Sequence, residues 1–330
     1  MQILVIQTAF IGDAVLGTGV LENLHQAFPK ADIHYMVRQG NEGLFAEHPF
    51  IKHLWVWNKK TQKYKHLWQL LLQIRSQKFD YVINLQRFAA TGLLTAFSGA
   101  KHTIGFTKNP LSLLFTTRVK HTISTQNTLH EYERNHTLIQ PLTNTAPSKP
   151  ALYPTTAHYA FVKQYQIVPY ITIAPSSVWF TKQWPAHQWI RFIQALPQNL
   201  TIYLLGAPSD DELCISIGQQ CSTYNVISLC GKLNFLQSAA LQQGATMNYV
   251  NDSAPMHFAS SVNAPVTAVY CSTVPSFGFG PLSSKSFIVE TKQTLACRPC
   301  GLHGKKHCPL GHFNCAETIE VSQLVSSLPM

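Results

Sequence analysis

Residues 1–15 read MQILVIQTAFIGDAV, and this stretch decides the fold. An apolar strand is followed at once by a turn that carries a glycine and an aspartate. A second turn of this kind, NDSAPMH at residues 251–257, follows another apolar segment. In open α/β sheets such turns build ligand sites at the carboxyl ends of the strands. One turn in each half predicts an α/β protein with two Rossmann-like, doubly wound domains facing a central cleft.

The first half of the chain alternates between strand and helix patterns. Apolar runs indicate strands at 2–8, 32–37 and 81–85. Apolar positions at helical spacing indicate helices at about 13–28 and 65–77. Strand–helix–strand alternation is typical of a parallel, doubly wound sheet.

The second half repeats this pattern after a linker. Residues 141–156 hold four prolines among Thr, Ser and Asn, which is a linker composition. We therefore predict one domain at 1–155 and another at 156–330, each large enough for its own core. In the second domain the strands are predicted at 170–174, 200–205, 226–229, 247–250 and 265–270, and the helices at about 186–196, 234–243 and 252–262.

Composition limits the classes of protein to which this chain can belong. Of the 330 residues, 45% are hydrophobic and 12% are charged, which is a globular composition. No apolar run reaches the roughly 18 residues of a membrane span. The apolar start is typical of a first strand rather than of a signal peptide. We therefore expect a cytoplasmic protein.

The net charge of +10 is unevenly distributed. Residues 1–156 hold 16 Lys and Arg against 8 Asp and Glu, whereas residues 157–330 hold 9 against 7. A basic first half favours an anionic partner, and nucleic acid, an anionic membrane surface and a phosphorylated substrate all fit. A charged surface that only keeps the protein in solution is the alternative.

The first acidic turn has two interpretations. Gly12 allows the chain to turn tightly close to a ligand. Asp13 fits an N-cap of the following helix, and it also fits a general base at the mouth of the cleft. The motif by itself favours the cap.

The loop at residues 174–185, APSSVWFTKQWP, has the composition of a phosphate site. It carries hydroxyl groups at Ser176, Ser177 and Thr181, and an ammonium group at Lys182. Hydroxyls, backbone N–H groups and an ammonium together bind phosphate. The alternative is an ordinary loop with a surface lysine, but the two tryptophans that flank this lysine argue against it.

The second acidic turn begins another helix. Asp252 fits a helix cap, but a helix N-terminus is also where a diphosphate binds. His257 lies one turn into this helix and either faces a ligand or packs in the core.

Five segments together resemble the glycosyltransferase family 9 heptosyltransferases of lipopolysaccharide core synthesis. Their order and spacing match that family over nearly the whole chain. The segments are IGD at 11–13, NLQR at 84–87, IGF at 104–106, TKQWP at 181–185, and DS at 252–253 with His257. The resemblance implies a GT-B fold, an ADP-heptose donor bound mainly by the second domain, and an inverting mechanism without a catalytic metal.

The resemblance also implies roles for individual residues. Asp13 corresponds to the catalytic base, Lys182 to the phosphate-binding lysine, and Asp252 to the aspartate that binds the donor sugar. The other implied donor-binding residues are Ser176, Ser177, Thr181, Asp210 near the ribose, Leu233 at the adenine, Ser253, Ala254 and His257. The candidate acceptor-binding residues, on the basic first domain, are Gly12, Arg87 and Lys101.

Three segments depart from the usual pattern of the family. Ala254 stands in place of a glycine, and Cys271 stands within a segment that is usually Tyr-Gly-Pro. Ser176 and Ser177 replace a common Pro-Gly-Ala start. These changes leave the chemical groups intact, but Ala254 bears on how closely the backbone can approach the donor.

Four of the eight cysteines cluster near the end of the chain. Cys297, Cys300, Cys308 and Cys315 combine one Cys-x2-Cys with two further thiols, a pattern typical of a structural zinc or iron site. Related autotransporter heptosyltransferases carry iron on four cysteines with a different spacing. The alternative is a reduced loop that packs near the active site.

The resemblance therefore implies an inverting transferase that moves heptose from ADP-heptose to the Kdo/heptose–lipid A acceptor of the inner core, more similar to the second heptosyltransferase than to the first. The basic first domain suits an anionic acceptor, and we expect peripheral contact with the cytoplasmic face of the inner membrane and no nucleic-acid partner. The close alternative is a heptosyltransferase acting on protein or another surface glycan. A non-catalytic nucleotide-sugar-binding protein is disfavoured by the presence of both Asp13 and Lys182.

Overall fold

Each half of the chain folds around one six-stranded sheet. The computed structural model describes residues 1–124, 126 and 129–329, and the chain divides into two units, Met1–Tyr153 and Pro154–Met330. Neighbouring strands are parallel throughout both sheets. Two parallel sheets with flanking helices confirm the predicted α/β, doubly wound architecture.

The first sheet has the strand order β3-β2-β1-β4-β5-β6. Later strands are added outward from β1 on one side and from β4 on the other, so the topological switch point lies between β1 and β4. Open α/β sheets bind ligands in this crevice, at the carboxyl ends of the strands. The strands are β1 Gln2–Ile6, β2 Asp32–Arg38, β3 Ile51–Trp57, β4 Tyr81–Asn84, β5 His102–Phe106 and β6 Thr117–Val119.

The first unit carries six α-helices among its described residues: α1 Ile11–Leu16, α2 Thr18–Ala27, α3 Lys63–Gln77, α4 Ala89–Ala96, α5 Glu131–His136 and α6 Gln140–Thr143. The prediction of one helix over 13–28 was wrong, because two helices meet at Gly17. The hydroxyl of Tyr35 donates to the carbonyl oxygen of Ala14 at 2.7 Å, and Thr18 would use that acceptor in a continuous helix. A Cβ on Gly17 would lie 2.5 Å from the same hydroxyl oxygen.

The second sheet has the order β12-β11-β10-β7-β8-β9, with its switch point between β7 and β10. Its strands are β7 Tyr170–Ala174, β8 Thr201–Leu204, β9 Asn225–Ser228, β10 Met247–Asn251, β11 Val266–Tyr270 and β12 Ser286–Glu290. Its described helices are α7 Thr156–Val162, α8 Ala186–Gln194, α9 Asp211–Gln220, α10 Phe235–Gly244, α11 Ala254–Ser261, α12 Asn314–Glu317 and α13 Val321–Val325.

Helix α8 packs a cluster of aromatic rings under the second sheet. Trp184 and Trp189 are buried and meet edge to face, with their ring centroids 4.9 Å apart. Phe192 lies one turn further along α8 and packs on Tyr249 of β10 at 4.5 Å. Because Trp184 belongs to the loop that carries Lys182, this packing anchors the loop to the core.

Four strands were not predicted, and three of them, β3, β6 and β12, are edge strands. Edge strands are partly exposed and so lack the continuous apolar run that marks a buried parallel strand. No helix in the described part of the chain is both long and apolar enough to cross a membrane.

Candidate active site

Lys182 and Asp252 meet at the switch point of the second sheet. The distance from Lys182 Nζ to Asp252 Oδ2 is 2.7 Å, and both side chains are largely buried. The hydroxyl of Thr273 donates to the same carboxylate oxygen at 2.6 Å. The reading of Asp252 as a helix cap was wrong, because Ser253 occupies the N-cap position of α11. The carboxylate instead points at the loop that follows β7.

Asn251, the last residue of β10, connects both ends of that loop. Its side-chain amide donates to the carbonyl oxygen of Pro175 at 2.8 Å. Its side-chain oxygen accepts the backbone N–H of Trp184 at 2.9 Å. The side chain is fully buried, and the sequence analysis did not assign it a role. Its position directly before Asp252 is the signal that could have identified it.

The three hydroxyl residues of this loop differ in their surroundings. Ser176 and Ser177 are half-buried directly after β7. Thr181 is buried, and its Oγ1 accepts the backbone N–H of Lys305 at 2.8 Å and the hydroxyl of Ser272 at 3.0 Å. The hydroxyl of Thr181 is therefore directed into the fold, whereas the neighbouring Lys182 side chain reaches the crevice.

Two further predicted donor residues lie at the carboxyl ends of β8 and β9. Asp210 ends a short turn whose conformation it supports, because its Oδ2 accepts the backbone N–H of Ala207 at 2.8 Å. Leu233 is half-buried in the loop between β9 and α10. Both residues therefore lie, like Asp252, at the carboxyl ends of the strands of the second sheet.

Helix α11 begins at Ala254 and carries His257 one turn later. The His257 side chain is buried, and its backbone carbonyl oxygen accepts the hydroxyl of Ser261 at 2.7 Å. The neighbouring Cys271, which follows β11, is also fully buried, and burial raises the pKa of its thiol well above the usual range. Cys271 is therefore a core thiol next to the site.

In the first unit, Asp13 follows β1 at the switch point of that sheet. The reading of Asp13 as the N-cap was wrong, because Phe10 holds that position and Asp13 is the third residue of α1, after Gly12. Arg87 follows β4, the other strand at the switch point, and its guanidinium lies 5.8 Å from the centroid of the Phe88 ring. The structure thus brings Asp13 and Arg87 to the carboxyl ends of adjacent strands.

Lys101 lies at the amino ends of the strands of the first sheet, opposite the end where Asp13 and Arg87 lie. It precedes β5, and its Nζ is 2.7 Å from Oδ1 of Asp80, which precedes β4. Both residues are therefore at the amino ends of their strands. The structure does not bring Lys101 together with Asp13 and Arg87.

A cluster of three basic residues was missed by the sequence analysis. The Nζ of Lys59 donates to the carbonyl oxygen of Thr8, after β1, at 2.6 Å, and it lies over the Trp57 ring. Burial, followed by the charges of Arg38 and Lys63, lowers the pKa of Lys59 to about 8. The buried Nε of Arg38 has no hydrogen-bond partner among the described residues. The cluster was missed because β3, which leads to Lys59, was not predicted.

The four terminal cysteines line one cavity of about 360 Å³, together with Thr181, Ser272 and Lys305. Cys315 is buried, and burial raises the pKa of its thiol to about 11. Within residues 1–124, 126 and 129–329, no three His, Cys, Asp or Glu side chains are arranged to hold a metal ion. The thiols share a cavity without forming a ready metal site.

Comparison with known proteins identifies the family. Residues 67–310 match glycosyltransferase family 9 (heptosyltransferase). Lipopolysaccharide heptosyltransferase 3 of Escherichia coli strain K12 is 28% identical over 284 residues, covering 79% of this chain and 80% of that protein. The solved structure of E. coli ADP-heptose lps heptosyltransferase II has a TM-score of 0.79 at 20% identity, covering 99% of this chain and 97% of that one. This likeness confirms the predicted GT-B fold.

A more distant likeness is to TibC of enterotoxigenic E. coli. This dodecameric, iron-containing heptosyltransferase was solved in complex with ADP-D-beta-D-heptose. Its TM-score is 0.55 at 14% identity, and the match covers 99% of this chain and 74% of that one.

Proposed function

Because this chain belongs to glycosyltransferase family 9 and is therefore a glycosyltransferase, we propose that it transfers heptose from ADP-heptose to the inner core of lipopolysaccharide. The observation that carries the proposal is the contact between Lys182 and Asp252 at the switch point of the second sheet. A buried cation and a buried carboxylate side by side suit a donor that has both a diphosphate and a polyhydroxylated sugar.

The diphosphate binds between Lys182 and the N-terminus of α11. A helix N-terminus presents free N–H groups and a partial positive charge, so it favours a phosphate oxygen. Ser253 and Ala254 begin this helix, while Ser176 and Ser177 add hydroxyls from the opposite side of the crevice. This arrangement stabilises the negative charge that develops on the departing ADP.

Asp252 accepts hydrogen bonds from the sugar hydroxyls. The nucleoside lies further along the same edge, with Asp210 at the ribose and Leu233 at the adenine. Support for this orientation comes from the strand order, because β8 and β9 lie beyond β7 on the side away from β10. Asp210 and Leu233 follow these two strands.

Asp13 acts as the general base in an inverting transfer. Such a base removes the proton of the acceptor hydroxyl as the sugar develops oxocarbenium character. Support for the role comes from the position of Asp13 inside the first turn of α1, where it does not cap the helix. The N-cap position that the alternative explanation would give to Asp13 is occupied by Phe10.

The acceptor is anionic and binds the basic cluster of the first unit. The charges of Arg38 and Lys63 lie close enough to Lys59 to lower its pKa. Like charges that gather repel each other, and a bound phosphate or carboxylate relieves that repulsion. Arg87, which follows β4, adds a further cation at the carboxyl ends of the strands of this sheet.

The first unit also makes peripheral contact with an anionic membrane surface through helix α3. Tyr64, Trp68 and Leu72 are spaced by four residues and are 76%, 59% and 53% exposed. Residues at this spacing form one stripe on a helix. The helix has no acidic residue, and it carries Lys63, Lys65 and Arg75. An apolar stripe bordered by cations suits the headgroup region of anionic lipids.

The terminal cysteines hold a structural zinc or iron ion. Support comes from the four thiols that line one cavity, since thiolates are the preferred ligands of both metals. Binding requires the thiols to lose their protons and converge, so the metal would order residues 297–315. The metal takes no part in catalysis.

Transfer assays with defined acceptors test the proposal. Purified protein is incubated with ADP-heptose and either a heptose-free Kdo–lipid A or a core that already carries heptose, and products are analysed by mass spectrometry. We expect addition of one heptose to one of them, with inverted anomeric configuration by NMR. Retention of configuration would rule out the inverting mechanism. Binding of ADP-heptose with transfer only to a protein or another glycan would refute the lipopolysaccharide acceptor.

A further inference from the structure

The segment that carries the terminal cysteines contacts the backbone that holds Asp252. The largely buried guanidinium of Arg298 donates to three carbonyl oxygens at the end of β11 and in the turn that follows it. Its Nε donates to the carbonyl oxygen of Cys271 at 2.7 Å, and its Nη2 to those of Thr273 at 2.8 Å and Tyr270 at 3.2 Å. The same Nη2 lies 2.6 Å from Oε2 of Glu290. Arg298 therefore fixes this turn.

That turn delivers one hydrogen bond to the donor site. Thr273, whose carbonyl oxygen Arg298 holds, donates its hydroxyl to Oδ2 of Asp252 at 2.6 Å. The Thr273 side chain is buried. The orientation of the Asp252 carboxylate thus depends on a turn whose shape is set by Arg298.

Residues 297–315 also contact Lys182. A Cβ on Gly304 would lie 2.9 Å from Cγ of Lys182 and 3.1 Å from Cβ of Trp179. The next residue exchanges two backbone-directed hydrogen bonds with Thr181: Lys305 N–H donates to Thr181 Oγ1 at 2.8 Å, and Thr181 N–H donates to the Lys305 carbonyl oxygen at 3.1 Å. The stem of Lys182 therefore lies against a position where no side chain fits.

We propose that Arg298 and Gly304 are positioning residues for the donor: Arg298 orients Asp252 through Thr273, and Gly304 leaves the space that the stem of Lys182 occupies. The proposal rests on the donor-binding roles of Lys182 and Asp252. Neither Arg298 nor Gly304 touches the donor. The two contacts together make residues 297–315 a support for both charged groups of the site.

The two contacts have different consequences for ligand binding. Gly304 acts on Lys182, which binds the diphosphate, so Gly304→Ala should weaken ADP and ADP-heptose by the same factor, about tenfold. Arg298 acts on Asp252, which binds the sugar, so Arg298→Lys should weaken ADP-heptose by a similar factor and leave ADP little changed. A purely structural role would not separate the two ligands in this way.

Gly311→Ala is a matched control for Gly304→Ala. Gly304 has φ +75° and Gly311 has φ +73°, so alanine carries a similar backbone strain at both positions. No heavy atom lies within 4 Å of a Cβ built on Gly311. Both variants should lose melting temperature, Gly304→Ala more because its Cβ also meets Lys182 and Trp179, but only Gly304→Ala should lose ADP affinity. Equal affinities in the two variants would overturn the role of Gly304.

Double-mutant cycles test whether each residue acts through its assigned partner. If Arg298 acts through Asp252, Arg298→Lys should have almost no further effect on ADP-heptose affinity in an Asp252→Asn background. Additive losses would overturn the proposal. Glu290→Gln removes the ion pair of Arg298 but leaves its bonds to the carbonyl oxygens, and we expect this variant to bind ADP-heptose normally.

A smaller change covers the case in which Arg298→Lys fails to fold. Thr273→Val deletes only the hydroxyl that links the turn to Asp252, and Thr273→Ser restores it. We expect weak ADP-heptose binding in the first variant and recovery in the second. If Lys182→Ala and Asp252→Asn themselves leave donor affinity intact, the proposed donor site is wrong. If they weaken it while the Arg298, Thr273 and Gly304 variants do not, only the positioning role is wrong.

Discussion

Lys182 and Asp252 are 70 residues apart in the sequence, yet Nζ of the first lies 2.7 Å from Oδ2 of the second. Their side chains are 16% and 8% exposed, so solvent screens this pair less than a surface ion pair. Removal of either partner would leave the other charge buried without compensation. Substitutions here therefore change stability as well as binding, and each affinity must be read beside a melting temperature.

Substitution of the two partners should affect different parts of the donor. Lys182→Ala should weaken both ADP and ADP-heptose by about 10- to 100-fold, since a charge-assisted contact to the diphosphate is lost. Asp252→Asn keeps the shape of the side chain and should weaken only ADP-heptose. Calorimetric titration of both ligands measures the difference. Equal loss of ADP binding in both variants would contradict the sugar role of Asp252.

Asp13→Asn should lower turnover by about 10²- to 10⁴-fold, the usual contribution of a general base. Donor affinity should hardly change, because the donor binds the second unit. Asp80→Asn is the control, since that carboxylate lies beside Lys101 at the amino ends of the strands, away from Asp13. An Asp13→Asn enzyme with near-normal turnover and a lower melting temperature would show that Asp13 has only a structural role.

The Lys59 cluster should give the reaction a pH dependence. The pKa of Lys59 is lowered to about 8, so its ammonium group is present below that pH and lost as the pH rises through it. If Lys59 binds an acceptor anion, kcat/KM for the acceptor should fall above about pH 8, because this parameter reports the free enzyme.

Lys59→Met should lower kcat/KM for the acceptor at neutral pH and remove the fall above pH 8. Lys60→Met, a substitution of the exposed neighbour, should retain the wild-type profile. If Lys59→Met and the wild type decline in parallel with rising pH, a different group is responsible for the titration.

Helix α3 should bind anionic vesicles. Co-sedimentation with phosphatidylglycerol vesicles should exceed that with phosphatidylcholine vesicles, and it should weaken with added salt. The double variant Trp68→Ser with Leu72→Ser should reduce partitioning by at least about tenfold, since two apolar side chains no longer enter the interface. Ile167→Ser removes an even more exposed aliphatic side chain from the second unit and serves as the control. Identical partitioning of both variants would exclude α3 as the contact.

Protein purified without an affinity tag should contain about one zinc or iron ion per chain, because the four thiols line one cavity and a bound metal would draw them together. Cys297→Ser with Cys300→Ser should abolish the metal and expose residues 297–315 to proteolysis, while some transfer activity persists. Cys214→Ser should leave the metal content unchanged, since that thiol packs on Cys230 in the core. Substoichiometric metal in protein purified anaerobically would favour the plain loop. Complete loss of activity on chelation, with the fold intact, would overturn metal-free catalysis.

Eight of the twelve strands could be predicted from the sequence, whereas the interior strand β5 and the edge strands β3, β6 and β12 could not. β1, β4, β7 and β10 are buried along nearly their whole length, and apolar residues dominate β1, β4 and β7. β3, β6 and β12 are partly exposed and have no such signature. The absence of β3 from the prediction also concealed Lys59, because a lysine at the end of an unrecognised strand has no assigned place.

Local signals determined that this chain forms two parallel α/β sheets and that its acidic turns lie at strand ends, because periodicity and burial are properties of short segments. Its motifs also determined the family. Only the tertiary structure decided that Lys182 meets Asp252, that Asp13 does not cap its helix, that Lys101 lies at the far edge, and that Arg298 supports the turn behind Asp252. These relationships depend on the order of strands in a sheet and on contacts between distant segments, and strand order is set by the packing of the whole domain rather than by any one stretch of residues.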